Sequence, residues 1–204
     1  MAQRSAAAVP PKAARGGRPA ATSHVDLAHV ALELFSTRGF EATTVDDIAD
    51  TAGIGRRTFF RYFSSKNDAV WGDFDAELRR MEDYLAARPA DEPYMTALHG
   101  AILDFNTYSA AEAPWHRRRM ELILTVPALQ AHSTLRYADW RQVVAAFVAG
   151  RLGAAADDLV PQTVAYALLA VCVAAYERWL ADPGAELTAL LDAGLRLLES
   201  GLRT

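Results

Sequence analysis

The chain has 204 residues, enough for one or two domains and for a full core without disulfides or metal. Hydrophobic residues make up 51% of it and charged residues 23%, which excludes a disordered polypeptide. Its single cysteine excludes an internal disulfide and any metal site built on paired cysteines, and it points to a reducing, cytoplasmic setting. No apolar run bounded by a cleavage site stands at the N-terminus, so no secretory signal is expected.

The formal net charge of −4 conceals an asymmetry. Residues 1–66 carry nine Lys/Arg against six Asp/Glu, whereas residues 67–204 carry twelve against nineteen. A phosphate-binding surface needs local positive potential, not a positive total. The two parts of the chain are therefore expected to do different jobs.

Residues 1–21 are rich in Ala, Pro and basic residues and hold no acid, which predicts a disordered basic arm. Arg15-Gly16-Gly17-Arg18-Pro19 is either a solvated tail or an arginine arm for a minor groove. From Ser23 the pattern turns helical: Leu27, Val30, Ala31, Leu34 and Phe35 form one stripe, and Gly39 is placed to end it. Thr44 with Asp47 three residues on reads as a capping box opening a second helix, which Gly53 interrupts. A third helix runs from near Gly55 to about Phe63. Ser64 or Ser65 then caps a long fourth, with Asp68 in its first turn and Val70, Phe74, Leu78, Met81 and Leu85 as its apolar positions.

Pro89 and Pro93 bracket a loop before a helix through Leu98, Ile102, Phe105 and Tyr108. Pro114 sits where a first-turn proline belongs and opens a segment with Met120, Ile123 and Leu124. Pro127 opens another through Leu135, Val143, Phe147 and Leu152. Pro161 lies near the start of an apolar helix that ends around Leu180. Its nearly apolar run, Thr163 to Tyr176, is shorter than the ~20 residues of a membrane span and predicts a helix buried on both sides. Asp182-Pro183-Gly184 is a turn, and Leu187, Leu190, Leu191, Leu195, Leu198 and Leu202 mark the last helix. No alternating strand pattern occurs. The fold class is all-α with about nine helices: an arm over 1–21, a three-helix helix-turn-helix domain over 22–66, and a longer helical domain over 67–204.

Residues 45–63, VDDIADTAGIGRRTFFRYF, carry the most information. Two helices crossing steeply need a small residue at the contact, which Ala49 supplies, and a turn that accepts positive φ, which Gly53 supplies. Ile48, Ala52 and Ile54 fill the wedge, and Phe59, Tyr62 and Phe63 share the inner face of the third helix. The opposite face shows Arg56, Arg57, Phe60 and Arg61, three cations and no acid, as a major-groove recognition helix requires.

The stretch AHVALELFSTRGFEATTVDDIADTAGIGRRTFFRYFSSKNDAV, about residues 24–70, resembles the N-terminal domain of TetR-family transcriptional regulators. The resemblance implies a homodimeric DNA-binding repressor in which residues 67–204 are a helical ligand-binding and dimerisation domain. RRTFFRYFSSKNDAVWGDFD is similar to the TetR-type regulators of mycofactocin clusters, and that similarity implies a response to long-chain acyl-coenzyme A. Carried over by position, Thr44 matches a phosphate contact, and Arg56, Arg57 and Thr58 stand at the base-facing start of the recognition helix. Arg61 lies on the same cationic face. Phe60 occupies the usual tyrosine place and cannot donate to phosphate, which leaves contact with a thymine methyl or sugar. Tyr62, at the usual histidine place, either reaches phosphate or packs inward. Gly55 replaces the common serine and supplies no side-chain cap. Lys66 is the expected phosphate clamp.

In the effector domain, Phe105, Tyr108, Trp115, Met120, Trp140, Phe147 and Tyr176 are expected to line a cavity for a long apolar ligand, with Cys172 buried and inert. Each of these residues also suits an ordinary core. Arg117-Arg118-Arg119 cannot all face one pocket; either they are solvated, or one or two of them, Arg118 first, meet the anionic part of a ligand. The last two helices are the expected dimer surface across a two-fold axis, which predicts a pseudo-palindromic operator. No cofactor or metal is expected. The chain lacks the glycine-rich, G-x-S-x-G and H-E-x-x-H motifs of enzymes, and its five histidines are scattered. The remaining alternative is a helical adaptor that presents residues 56–61 to an acidic protein partner.

Overall fold

A computed structural model of the chain describes residues 23–203, so the expected arm over 1–21 lies outside the described residues. Ten helices occur among the described residues: α1 (His24–Arg38), α2 (Val45–Ala52), α3 (Arg56–Tyr62), α4 (Lys66–Trp71), α5 (Phe74–Ala86), α6 (Tyr94–Phe105), α7 (Ala113–Thr125), α8 (Pro127–Leu152), α9 (Leu159–Ala181) and α10 (Leu187–Glu199). Helices α1–α3 form a small head, α4 links it to the body, and α5–α10 form the body.

The head is built by local chemistry. Ser23 caps α1 by accepting from the Asp26 N–H. The Thr44–Asp47 capping box is complete in both directions and fixes the start of α2. Gly53 ends α2 in the left-handed conformation at φ 68°, ψ 29°, its N–H returning to the Ala49 and Asp50 carbonyls. Leu27, Ile48 and Phe59 are fully buried where the three helices meet. A single such aromatic or aliphatic side chain contributes about 1.5–3 kcal/mol through its burial.

The long fourth helix is two helices. Gly72 takes φ 66°, ψ −143°, which cannot continue a helix, and the Asp73 carboxylate caps α5 by accepting from the Ala76 N–H. Three other expectations shift. The helix through Leu98 and Ile102 stops at Phe105, so Tyr108 lies in the following loop. The last helix stops at Glu199, so Leu202 lies beyond it. Leu135 of α8 is exposed.

In the body, α9 packs between α8 and α10 and also meets α7, while α5 packs on α6. By length and composition α9 is apolar enough to cross a membrane. One side of it, carrying Ala165, Leu168, Cys172 and Ala175, is buried in the body. On its other side Tyr166 is exposed, as are Leu159 and Val160 at its start. Within one chain the apolar run is therefore covered on one side, not both.

Candidate functional site

The first element is the outer face of α3. Phe59 and Phe63 are buried against α1 and α2, which turns Arg56, Arg57, Phe60 and Arg61 to solvent. Arg56 reaches back across the turn to Asp46 of α2 at 2.8 Å and lies 5.4 Å from the centre of the Phe60 ring. Phe60 is 44% exposed, an unusual position for an aromatic ring without a partner to cover it. Arg61 lies over the Tyr62 ring, and Tyr62 packs edge-on against His24. Thr58 is half-buried on α3. Gly55 gives α3 no side-chain cap. The Thr44 hydroxyl is exposed but already engaged, donating to Asp47 and accepting from its N–H. Lys66 donates to the Phe40 and Thr43 carbonyls at 2.9 and 3.2 Å and lies over the Phe40 ring. An ammonium has three donors, so at most one is left for phosphate. Lys66 thus braces the loop between α1 and α2.

The second element is α4, held by two groups of the body. Its C-terminal carbonyl at Val70 accepts from Arg119 Nε of α7 at 2.8 Å. A basic side chain at the end of a helix satisfies such orphan carbonyls. Near its start, Asp68 accepts from Arg136 and His132 of α8 at 2.9 and 3.0 Å and from the Ser65 hydroxyl. Burial works against the charged form of Asp68, but Ser65 and Arg136 outweigh it and hold its carboxyl below the usual range.

The third element is a cavity of about 290 Å³ in the body, bounded on one side by the head. Val25 and Ala28 of α1 and Trp71 and Gly72 at the end of α4 form its near wall. Of the expected ligand residues, Phe105, Tyr108, Met120, Trp140 and Tyr176 line it, and Cys172 lines it too. Trp115, Arg118 and Phe147 do not. Trp115 stacks flat on His29 with ring centroids 4.2 Å apart, Arg118 lies over Trp115 on the outside, and Phe147 carries Arg151 over its ring. Arg117 donates to the carbonyls of Trp179 and Leu180 and caps the end of α9. Arg119, and not Arg118, is the member of the triplet at the cavity wall.

The cavity wall also holds a buried polar chain that sequence reasoning missed. The Tyr176 hydroxyl donates to Asn106 Oδ1 and accepts from His116 Nε2 at 2.8 Å, and Asn106 Nδ2 donates to the Ile102 carbonyl. This order places the His116 proton on Nε2 and leaves Nδ1 an unpaired acceptor. Burial first, and then the nearby Arg119 charge, pull the His116 pKa down to about 3, so the ring is neutral near pH 7. Burial pushes the Tyr108 hydroxyl and the Cys172 thiol up to about 12, which keeps both protonated. Nothing in the sequence marked Asn106 or His116, because their partners are 70 and 60 residues away in α9.

Comparisons with known proteins agree with this layout. Residues 27–68 match the family model for bacterial regulatory proteins of the tetR family, and residues 92–203 match the MftR C-terminal domain. The chain is 44% identical over 192 residues to a Mycobacterium tuberculosis protein that carries the name mycofactocin biosynthesis transcriptional regulator MftR. That match covers 94% of this chain and 97% of the relative. A shorter match, 42% identical over 66 residues, covers 32% of this chain and 31% of the M. tuberculosis transcriptional repressor KstR2. The fold is shared with FadR of Thermus thermophilus, a TetR-family repressor solved with lauroyl-CoA, at a TM-score of 0.57 and 21% identity over 89% of this chain and 95% of that one. It is shared too with the fatty acid degradation regulator FadR of Bacillus halodurans, at 0.62 and 17% over 91% and 99%. A helix-turn-helix head with an exposed cationic third helix, matched together with a body of the MftR type, makes this chain a transcriptional regulator of the TetR family.

Proposed function

We propose that the chain is a homodimeric, cytoplasmic repressor that leaves its operator when a long apolar molecule of the acyl type, such as a long-chain acyl-coenzyme A, fills the body cavity. The observation that carries this reading is the wall the cavity shares with α1 and α4. A ligand there touches the same α4 end that Arg119 holds, so occupancy and the position of the head are physically linked. Arg56, Arg57, Thr58, Phe60 and Arg61 would meet the major groove, with Thr44, Tyr62 and Lys66 along the backbone. The exposed side of α9 with Leu197 of α10 is the surface a second copy would cover, which sets two heads on a two-fold axis and favours a pseudo-palindromic site.

The test is fluorescence anisotropy on duplex DNA from the chain's own promoter region. Specific binding should fall steeply with salt, and lauroyl-CoA should weaken it. The double variant Arg56→Glu/Arg57→Glu should lose more than ~100-fold, because two base-reading or phosphate-holding forks become repulsive. Operator affinity that survives this double charge reversal, or that ignores acyl chains, refutes the proposal. Binding to acidic proteins with no preference for a DNA sequence would favour the adaptor alternative.

A further inference from the structure

Arg119 is the one arginine among the described residues lining a mainly apolar cavity, whose wall also carries Asp73, Glu77 and Glu112. Its Nε is committed to the Val70 carbonyl, and its Nη2 lies against Gly72, where a Cβ would approach to 3.2 Å. No described carboxylate pairs with it. Glu77 of the cavity wall is engaged by Arg80 at 2.7 Å, Glu112 by His29 at 3.1 Å, and Asp73 caps α5. Burial holds the Arg119 pKa below its usual value, so the surroundings penalise its charge.

On the same cavity wall the buried indole N–H of Trp71 has no partner. A largely enclosed cation with no carboxylate in contact, in a cavity that also holds an orphan N–H, is best satisfied by a guest acceptor carrying negative charge.

We infer that Arg119 is the receptor for an oxyanion borne by the apolar effector, with the unpartnered Trp71 N–H as a second donor of the same cavity. The inference rests on the cavity being the effector site of the proposed function. It adds a polar anchor to a site otherwise selected by chain length. The oxyanion is either the carboxylate of a free acid or a phosphate of a coenzyme A ester. The same guanidinium holds α4, so an anion that draws on it acts on the link to the head directly.

The full-length protein is titrated with dodecanoate, dodecanol and lauroyl-CoA, and binding is read from quenching of the cavity tryptophans. At least one of the two anions should bind ~10-fold or more tightly than dodecanol, which shares the chain but not the charge. Arg119→Met should remove that preference while leaving dodecanol binding in place, and Arg119→Lys should keep most of it. A preference for dodecanoate identifies a carboxylate guest, and one confined to lauroyl-CoA identifies a phosphate. The comparison in the unaltered protein needs no variant, so a misfolded Arg119→Met does not rescue the idea. If dodecanol binds as tightly as both anions, or if folded Arg119→Met binds both anions as the parent does, the inference is wrong. Operator release is measured separately. Arg119-dependent binding without release supports the oxyanion site and refutes the regulatory reading of the cavity. Release by ligands indifferent to Arg119 does the reverse.

Discussion

The head and the body handle polar groups in opposite ways. In the head, Arg56, Arg57 and Arg61 stand in water, and the ion pairs Arg56–Asp46 and Arg38–Asp47 are exposed and can be exchanged for other partners. In the body, Asn106, His116 and Tyr176 are buried and bonded to one another, and Arg119 stands at the wall of a mainly apolar cavity. Exposed charges cost little and are worth little until a polyanion arrives. Enclosed polar groups are expensive unless each finds its partner. The head is thus equipped to meet a large external partner, and the body to discriminate a small internal one.

The largest break in this comparison comes from the body. Tyr176→Phe removes one hydroxyl and leaves two buried groups unsatisfied, His116 Nε2–H and Asn106 Oδ1. Each orphan costs about 1–3 kcal/mol, which for a chain this long lowers the melting temperature by roughly 5–15 °C. Calorimetry on the full chain checks this, and a variant that melts with the parent would mean the three groups are not a coupled chain.

Acid should act on the body next. Folded His116 takes up its proton only near pH 3, whereas an unfolded imidazole does so near 6.5. Between these values the unfolded state holds the extra proton, so the His116 contribution is complete above pH 6.5 and declines as pH falls, by about 1.4 kcal/mol per unit. At pH 5 about 2 kcal/mol should be gone. All four tryptophans, Trp71, Trp115, Trp140 and Trp179, lie outside residues 24–66, so urea unfolding followed by their emission reports on the body. The slope is the difference between the parent and His116→Gln, since every other group is common to both proteins. Equal slopes would mean that His116 is not held neutral.

A smaller effect sharpens the description of the head. Asp46→Asn releases Arg56 from its exposed partner and removes a negative charge from beside the recognition helix. Exposed pairs are worth about 0.2–1 kcal/mol, so operator affinity should rise by up to ~5-fold, most at low salt. Weaker binding would show instead that Asp46 positions Arg56 for the groove.

The head was legible because its signals are local. A capping box, a left-handed glycine and a seven-residue helix with aromatics on one side are set by spacings of three and four residues. The break at Gly72 was local as well, and Gly72-Asp73 carries it, but a continuous apolar spacing from Val70 to Leu85 masked it. In the body, spacing gave the helices and most of the greasy wall, and five of the expected ligand residues do line the cavity. It did not give the polar chain, nor say which arginine points inward, because those depend on helices that meet across 49 to 70 residues.

Arg118 is the plainest case and the smallest predicted effect. Three successive arginines on α7 point about 100° apart, and sequence alone cannot say which direction the cavity takes. Arg117 turns to the end of α9, Arg119 to the end of α4, and Arg118 to solvent over Trp115. Arg118→Ala therefore gives up an exposed cation–π contact worth roughly 0.5–1 kcal/mol and nothing inside the cavity. Affinity for dodecanoate and for lauroyl-CoA should stay within about 2-fold of the parent, since the lost contact exists with or without ligand and cancels from the binding equilibrium. A loss of tenfold would mean that the anion sits at the cavity mouth beside Trp115 and not on Arg119, and the division between an outward-facing head and an inward-facing body would have to be redrawn at α7.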